Sequence, residues 1–224
     1  MCLSGPLTRQ VISSQEWRKA VRQVGGPGGH NYNICLTKII RCQEHKAPDL
    51  WKVIMNIRRA IVIFPRFNAI DIIESLRKKY APLSTIISPH LTLVFPFESD
   101  ISKEILKEHI VLASKAISPF ELVMKGITGT SDHYLYLNVK KGNDILVKLH
   151  DNLYNGILNE LYDHRYTFIP HVTIGHLTDE ESFNKAIYAC KPVDLEFKTI
   201  VNTISVVTVN QGVKSDVEFE VRLQ

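Results

Sequence analysis

Two pentads of the same pattern, Pro89-His90-Leu91-Thr92-Leu93 and Pro170-His171-Val172-Thr173-Ile174, stand about eighty residues apart in this 224-residue chain. Successive side chains of an extended strand point to opposite faces. Each pentad therefore predicts a strand with a histidine and a threonine on one face and two aliphatic residues on the other. A single His-x-Thr is common by chance, but the full pentad at equivalent points of a repeat is not. We interpret the pentads as paired functional strands. The alternative is two ordinary strand histidines satisfied by their neighbours.

The pattern around the pentads indicates a repeated order of strand, helix, strand, helix and strand, which predicts an α+β domain with two related sheet lobes. The first copy is expected to have strands at 60–64, 87–95 and 120–125, with helices at 69–80 and 103–116. The second copy is expected to have helices at 144–161 and 180–189 and strands at 134–139, 168–177, 197–201, 205–209 and 217–223.

Composition narrows the class of protein. The chain is 45% hydrophobic and carries a formal charge of +4, which fits a globular protein with an anionic ligand but not one that coats duplex nucleic acid. Its four cysteines form no Cys-x-x-Cys pair, so neither a disulfide framework nor a zinc site at Cys35, Cys42 and His45 is favoured. The sequence shows no membrane-spanning apolar stretch and no signal-peptide core. We therefore expect a cytoplasmic protein.

Residues 1–54 differ from the rest of the chain. Their Gly25-Gly26-Pro27-Gly28-Gly29 run lacks the Lys-Ser/Thr of a phosphate-binding loop and favours a flexible linker. Periodic elements begin only after Met55, which is a plausible alternative start. We interpret 1–54 as an N-terminal extension, either a flexible appendage or a mis-called start, and 55–224 as the folded domain.

Two histidines suit the cleavage of a phosphodiester. One group must take a proton from the attacking oxygen and another must give a proton to the leaving oxygen, and histidine can do either near neutral pH. Threonine hydroxyls can donate hydrogen bonds to the non-bridging oxygens, where charge develops in the transition state. The predicted chemistry of His90, His171, Thr92 and Thr173 requires no metal and no cofactor.

The paired motifs resemble the 2H phosphoesterase superfamily, which includes the 2'-5' RNA ligase and RNA 2',3'-cyclic phosphodiesterase proteins. The similarity is greatest to a branch of small bacterial proteins provisionally classed as phosphoesterases. It covers 55–224 but not 1–54. Besides the pentads, it rests on four stretches: Arg59–Pro65, Arg77–Tyr80, Asn152–Tyr154 and Tyr166–Pro170.

The resemblance implies roles for the motif residues. His90 would be the general acid to the leaving oxygen, His171 the general base that activates water, and Thr92 and Thr173 the ligands of the phosphate. It also implies a bilobal fold, with two antiparallel-rich sheet lobes, helices outside and the motif strands lining a central cleft. The substrate would be a cyclic or 2'-5' phosphodiester of RNA or a nucleotide, with no obligate protein partner.

Two other functions remain open at this stage. A non-catalytic binder of phosphate-ended RNA or nucleotides could use the same cleft, although it would have little need for two titratable groups. An interaction protein assembled through 1–54 is supported only by the unusual composition of that segment.

Further predictions concern residues near the motifs. Alternation along the second strand places His176 on the face opposite His171, which favours a structural or exposed role. Phe95 and Phe168 could stack on a base, but core packing is favoured. Arg66 and the Arg77-Lys78-Lys79 run could meet phosphates, yet a charged helix end is usually solvated.

Overall fold

The computed structural model describes residues 57–82, 84–209 and 214–224. The predictions for 1–54, including the glycine-rich linker and the start at Met55, lie outside these residues. None of the helices in the described ranges is long and apolar enough to cross a membrane.

The described chain folds into eight strands, four α-helices and one short 3₁₀ turn. The strands are β1 (Ile57–Ile63), β2 (Leu91–Ser99), β3 (Phe120–Gly129), β4 (Tyr134–Lys141), β5 (His171–His176), β6 (Phe197–Val201), β7 (Thr203–Thr208) and β8 (Asp216–Arg222). The helices are α1 (Ile70–Tyr80), α2 (Lys103–Ser114), α3 (Asn143–Tyr154) and α4 (Glu180–Cys190), and the 3₁₀ turn is Asn159–Leu161.

All eight strands belong to one antiparallel sheet with the order β6-β3-β4-β5-β2-β1-β7-β8. The two motif strands, β2 and β5, lie side by side at its centre and join a half built from β6, β3 and β4 to a half built from β1, β7 and β8. The predicted α+β class with two related, antiparallel halves is confirmed.

The two copies of the sequence repeat do not coincide with the two halves of the sheet. β3 belongs to the first copy but pairs with β4 in the other half, while β7, from the second copy, pairs with β1. The connection from β3 to β4 spans only 130–133, which favours an antiparallel hairpin between neighbours. Each half of the sheet therefore contains strands from both predicted copies.

One face of the sheet carries the main core. Leu91, Leu93, Val172 and Ile174 are at most 1% exposed and belong to one cluster with the buried side chains of the helices. Two helices pack on the motif strand of the opposite half, since α1 contacts β5 and α3 contacts β2. The helices therefore brace the junction from the core side and leave the other face, here called the site face, to the motif histidines.

The third helix is shorter than predicted. α3 buries Leu146, Leu149, His150, Leu153 and Tyr154, a spacing of three and four that defines one helical face. It ends at Tyr154 rather than near 161. Gly156 follows with a φ of 107°, a left-handed conformation that glycine tolerates and that ends the helical path.

A β-bulge interrupts β5 beside the site. Leu135 of β4 pairs with Gly175 and the next residue, Tyr136, pairs with Thr173, so Ile174 is an extra residue on the bulged strand. Gly175 also meets the end of α1. A methyl group at this glycine would lie 2.6 Å from Cβ of Tyr80 and 2.9 Å from the Tyr80 carbonyl oxygen.

Replacing Gly175 by alanine should lower the free energy of unfolding by about 1–3 kcal/mol, a typical cost of overpacking. The atoms in the way are Cβ and the carbonyl oxygen of Tyr80, and the helix backbone fixes the positions of both. In the control Gly129→Ala, the new methyl group would meet the ends of the Phe183 and Ile187 side chains, which can rotate. Urea denaturation should therefore show a smaller loss in the control. Equal losses would contradict the close approach of α1 to β5.

Candidate active site

The centre of the site face is set by one pairing between the motif strands. Leu91 of β2 lies opposite Val172 of β5 in an antiparallel ladder. Continuing that register by one residue places His90 opposite Thr173 and Thr92 opposite His171. The two histidines are then diagonal neighbours, a relation in which residues are about 7–8 Å apart and their Cβ atoms somewhat closer.

All four motif side chains are half-buried on this face. The motif patch, defined as His90, Thr92, His171 and Thr173, therefore brings together every site residue predicted from the sequence. The pairing of Thr92 with Val62 on one side and of Thr173 with Tyr136 on the other fixes the edges of the patch.

Both histidine rings are held in the same way. Nδ1 of His90 lies 2.8 Å from the carbonyl oxygen of Ser88, and Nδ1 of His171 lies 2.6 Å from the carbonyl oxygen of Ile169. A carbonyl can only accept, so each Nδ1 carries the proton and donates it. In the neutral ring, Nε2 is then a free acceptor.

The proline of each pentad contributes to this arrangement. Ser88 precedes Pro89 and Ile169 precedes Pro170, and a residue before proline is restricted to extended conformations. The conformation of each acceptor residue is thus limited before its histidine is reached. The repeated Pro-His pair specifies the tautomer as well as the position of the ring.

Burial lowers the pKa of both histidines below the ordinary value of 6.5. The hydrogen bond to Ser88 partly offsets this for His90, whose pKa the charges of Arg77 and protonated His171 lower further. The hydrogen bond to Ile169 partly offsets the lowering for His171. Two neutral imidazoles are therefore expected near neutral pH in the free protein.

The prediction that the charged end of α1 is solvated is wrong for Arg77, which is only 4% exposed. Its Nη2 donates a 2.7 Å hydrogen bond to the carbonyl oxygen of Ile87, in the segment that leads to His90. Its Nε and Nη1 are buried without a hydrogen-bond partner among the described residues, and the nearest carboxylate oxygen, on Glu74, is 3.8 Å from Nη1. The helix thus places an incompletely paired cation beneath the His90 strand.

An aromatic row borders the patch on the β4 side. Tyr136 stacks on His171 with ring centroids 3.5 Å apart, and Tyr134 stacks on His176 at 4.0 Å. The two tyrosine rings are 5.9 Å apart. The prediction that His176 faces away from His171 is wrong, because the bulge at Ile174 shifts the alternation by one residue and returns His176 to the site face.

The predictions of core packing for Phe168 and Phe95 have different outcomes. Phe168 is partly buried against the core and stacks on His150 at 3.8 Å, which confirms core packing. Phe95 is 38% exposed and lies 6.1 Å from the ring of Tyr166, so core packing is wrong for that residue. Phe64, which was not singled out in the sequence, meets His90 edge to face at 6.1 Å.

Asn138 is a further site-face residue, and it lies outside the two motifs. It lies opposite His171, its Nδ2 donates to the Gly126 carbonyl, and its Oδ1 accepts a hydrogen bond from Thr128. The alternation of polar and aliphatic residues along 134–139 is the signal that could have located both Asn138 and Tyr136. Both residues lie on β4, which pairs with the motif strand β5, but the sequence does not show that these two strands are neighbours.

Comparison with known proteins identifies the family. Residues 64–212 match the profile of the 2'-5' RNA ligase superfamily. The chain belongs to this superfamily. The match covers both motif strands and most of the described domain, and it confirms the resemblance to the 2H phosphoesterases.

Individual relatives agree with this assignment. The chain is 35% identical over 122 residues to a provisionally named phosphoesterase of Geobacillus sp. strain WCH70, covering 53% of this chain and 69% of the relative. It is 28% identical over 149 residues to a similarly named Bacillus licheniformis protein, covering 65% and 86%. The crystal structure of Escherichia coli LigT complexed with 3'-AMP has a TM-score of 0.54 at 16% identity, covering 75% of this chain and 99% of LigT. That likeness shows a shared fold.

Removing the buried charge beside His90 should raise the pKa of that histidine. Arg77→Met deletes a nearby cation that opposes ring protonation, while burial of the ring remains. NMR titration of the ring should show a higher pKa for His90 in this variant. Lys78→Met removes an exposed, solvent-screened charge from the same helix and should leave it unchanged. An unchanged His90 pKa in Arg77→Met would contradict the electrostatic link.

Proposed function

We propose that this chain is a metal-independent phosphoesterase that hydrolyses a cyclic or 2'-5' phosphodiester of RNA or a nucleotide through His90 and His171. The observation that carries the proposal is the matched tethering of the two rings. Each Nδ1 donates to the carbonyl of the residue two positions earlier, so that two free Nε2 atoms belong to one patch. A pair of such rings can act on two oxygens of the same phosphate.

In the proposed reaction, Nε2 of His171 accepts a proton from a water molecule as its oxygen bonds to phosphorus. Protonated His90 donates its proton to the leaving oxygen as the old phosphorus–oxygen bond breaks. Each ring has then exchanged its protonation state, and proton exchange with water restores the pair. The roles of acid and base follow the superfamily resemblance. Thr92 and Thr173 donate hydrogen bonds to the non-bridging oxygens.

The surroundings of each ring support this cycle. When His171 takes up a proton, the imidazolium lies against the face of Tyr136, whose π-electrons attract a cation. Burial and Arg77 oppose protonation of His90 in the free protein. A bound phosphodiester adds negative charge beside both rings, which opposes these effects and favours uptake of the proton that the general acid must donate.

The donor groups of the patch also support a mechanism without a metal. The patch offers two imidazoles and two hydroxyls but no carboxylate. Across the described residues, no three His, Cys, Asp or Glu side chains cluster in a way that could hold a metal ion. We expect turnover to persist after exhaustive chelation. Loss of activity that added metal restores would contradict this part of the proposal.

The proposed class of substrate and the proposed extent of the domain rest on the comparisons. LigT, which shares the fold, has been crystallised with 3'-AMP, a nucleotide that ends in a phosphate. The family match begins at residue 64, which supports 55–224 as the catalytic domain and 1–54 as an extension. We also propose that the protein acts in the cytoplasm. A non-catalytic nucleotide binder is the remaining alternative, and turnover distinguishes the two.

Replacing either His90 or His171 by alanine should slow hydrolysis of a 2'-5' dinucleotide by roughly 10²–10⁴-fold. The double variant should be far less than multiplicatively slower, because residues that act as one unit are strongly non-additive. An aryl phosphodiester with an activated leaving group scarcely needs protonation. His90→Ala should therefore recover most of its rate on that substrate, whereas His171→Ala should not.

The exposed His164 provides the control, since His164→Ala should retain wild-type rates on both substrates. Recovery in His171→Ala instead of His90→Ala would reverse the two roles. Near-full activity of both variants on every substrate would remove the catalytic proposal and leave the binder.

The rate should also depend on pH in a defined direction. One ring must be protonated and the other neutral, and that combination is most populated between the two pKa values of the pair. Because both pKa values lie below 6.5, kcat/KM should follow a bell with its maximum below pH 6.5. It should fall at higher pH as the acid is lost and at lower pH as the base is protonated. A maximum on the alkaline side of neutrality would contradict this account.

A further inference from the structure

A cavity of about 460 Å³ lies beside the His90 strand. Its walls come from three segments: the loop after β1 together with the start of α1, the segment that precedes β2, and the start of β8 with the two residues before it. A hydrogen bond from the Ser215 amide to the Ile86 carbonyl joins two of these walls. The volume falls within the range of about 300–1,000 Å³ that is typical of small-molecule sites.

The cavity shares part of its wall with the surroundings of His90. Ser88, whose carbonyl holds the His90 ring, and Pro89 both line it. Phe64 lines it as well and meets the His90 ring edge to face. Neither Tyr136 nor Ile169, which hold the ring of His171, lies in its wall. The cavity therefore belongs to the His90 side of the motif patch.

The lining combines an apolar surface with separated charges. Phe64 and the side chains of Ile70, Ile86 and Ile87 provide the apolar part. Arg66 and Lys214 are cations that form no salt bridge with a described residue, and Glu74 and Asp216 are the carboxylates of the wall.

This combination fits a nucleoside better than it fits a simple alcohol. An apolar, aromatic surface can receive a base, while carboxylates can accept hydrogen bonds from sugar hydroxyls or an exocyclic amine. The two cations can meet a phosphate that continues the chain. A small alkyl group would leave most of the cavity unfilled.

We infer that the cavity binds the nucleoside carried by the leaving oxygen of the substrate. The inference rests on the proposed function, in which His90 protonates the leaving oxygen. A group attached to that oxygen emerges on the His90 side, where Phe64, Ser88 and Pro89 lead into the cavity. A nucleoside bound there adds affinity for dinucleotides without taking part in proton transfer.

The kinetic test compares two esters that differ only in the leaving group. Adenylyl-(2'-5')-adenosine releases adenosine, whereas the methyl ester of adenosine 2'-phosphate releases methanol. Ser215→Phe narrows the cavity and should raise KM for the dinucleotide by about tenfold, the scale of steric discrimination in a binding pocket. It should leave kcat/KM for the methyl ester unchanged. Ser118→Phe, at an exposed serine outside the cavity, is the matched control.

The same comparison can overturn the inference while the proposed function stands. Equal effects of Ser215→Phe on both esters, or no effect on either, would show that the leaving nucleoside does not use the cavity. His90→Ala and His171→Ala would still slow both esters in that case. A second variant, Arg66→Gln, should raise KM only for a dinucleotide whose leaving nucleoside carries a further phosphate, and a uniform effect would count against the inference.

Binding gives a readout that does not depend on turnover. Adenosine added to ¹⁵N-labelled protein should shift the amide signals of Ile86, Ile87 and Ser215, and Ser215→Phe should abolish those shifts. If wild type bound adenosine in this way but hydrolysed neither ester, the proposed function would be wrong, and the cavity would be a nucleoside site without a role for a leaving group. If adenosine left these signals in place, the cavity assignment would be wrong.

Discussion

The pairing of Leu91 with Val172 is the contact on which the site depends, because it is where the two halves of the sheet meet in register. Both side chains are at most 1% exposed, and full burial of such a side chain contributes about 1.5–3 kcal/mol. A slip of one residue would turn an entire strand over, so the same burial that stabilises the junction also keeps both histidines on the site face. α1 and α3 reinforce the junction by crossing it, each packing on the motif strand of the other half.

The chemistry of the site follows from where that junction lies. The rings sit at the centre of a sheet rather than on an exposed loop, and the loss of solvent lowers the pKa of both. Each backbone carbonyl tether then fixes the remaining proton on Nδ1 and leaves Nε2 open. The surroundings of the two rings differ, since the charge of Arg77 acts on His90 and the ring of Tyr136 stacks on His171.

The sequence was most informative where local rules decide the structure. Strand alternation predicted which side chains of the pentads face the core, and the double occurrence of the pentad predicted the motif patch. The errors came from effects at longer range. The bulge that turns His176 toward Tyr134 depends on the pairing of β5 with β4. The need for glycine at 175 becomes clear only when the contact of Gly175 with α1 is known. The burial of Arg77 likewise depends on how α1 packs. The exchange of β3 into the other half reflects strand pairing, which the repeat pattern alone does not specify.

The central claim is that His90 and His171 present two free Nε2 atoms to one phosphate, and ring ¹⁵N NMR of the wild-type protein tests it most directly. At neutral pH in the absence of ligand, both rings should be neutral and protonated at Nδ1. Addition of 3'-AMP should shift the Nε2 signals of both rings with a common dissociation constant. A ring protonated at Nε2 in the free neutral state, or a response confined to one histidine, would contradict the account.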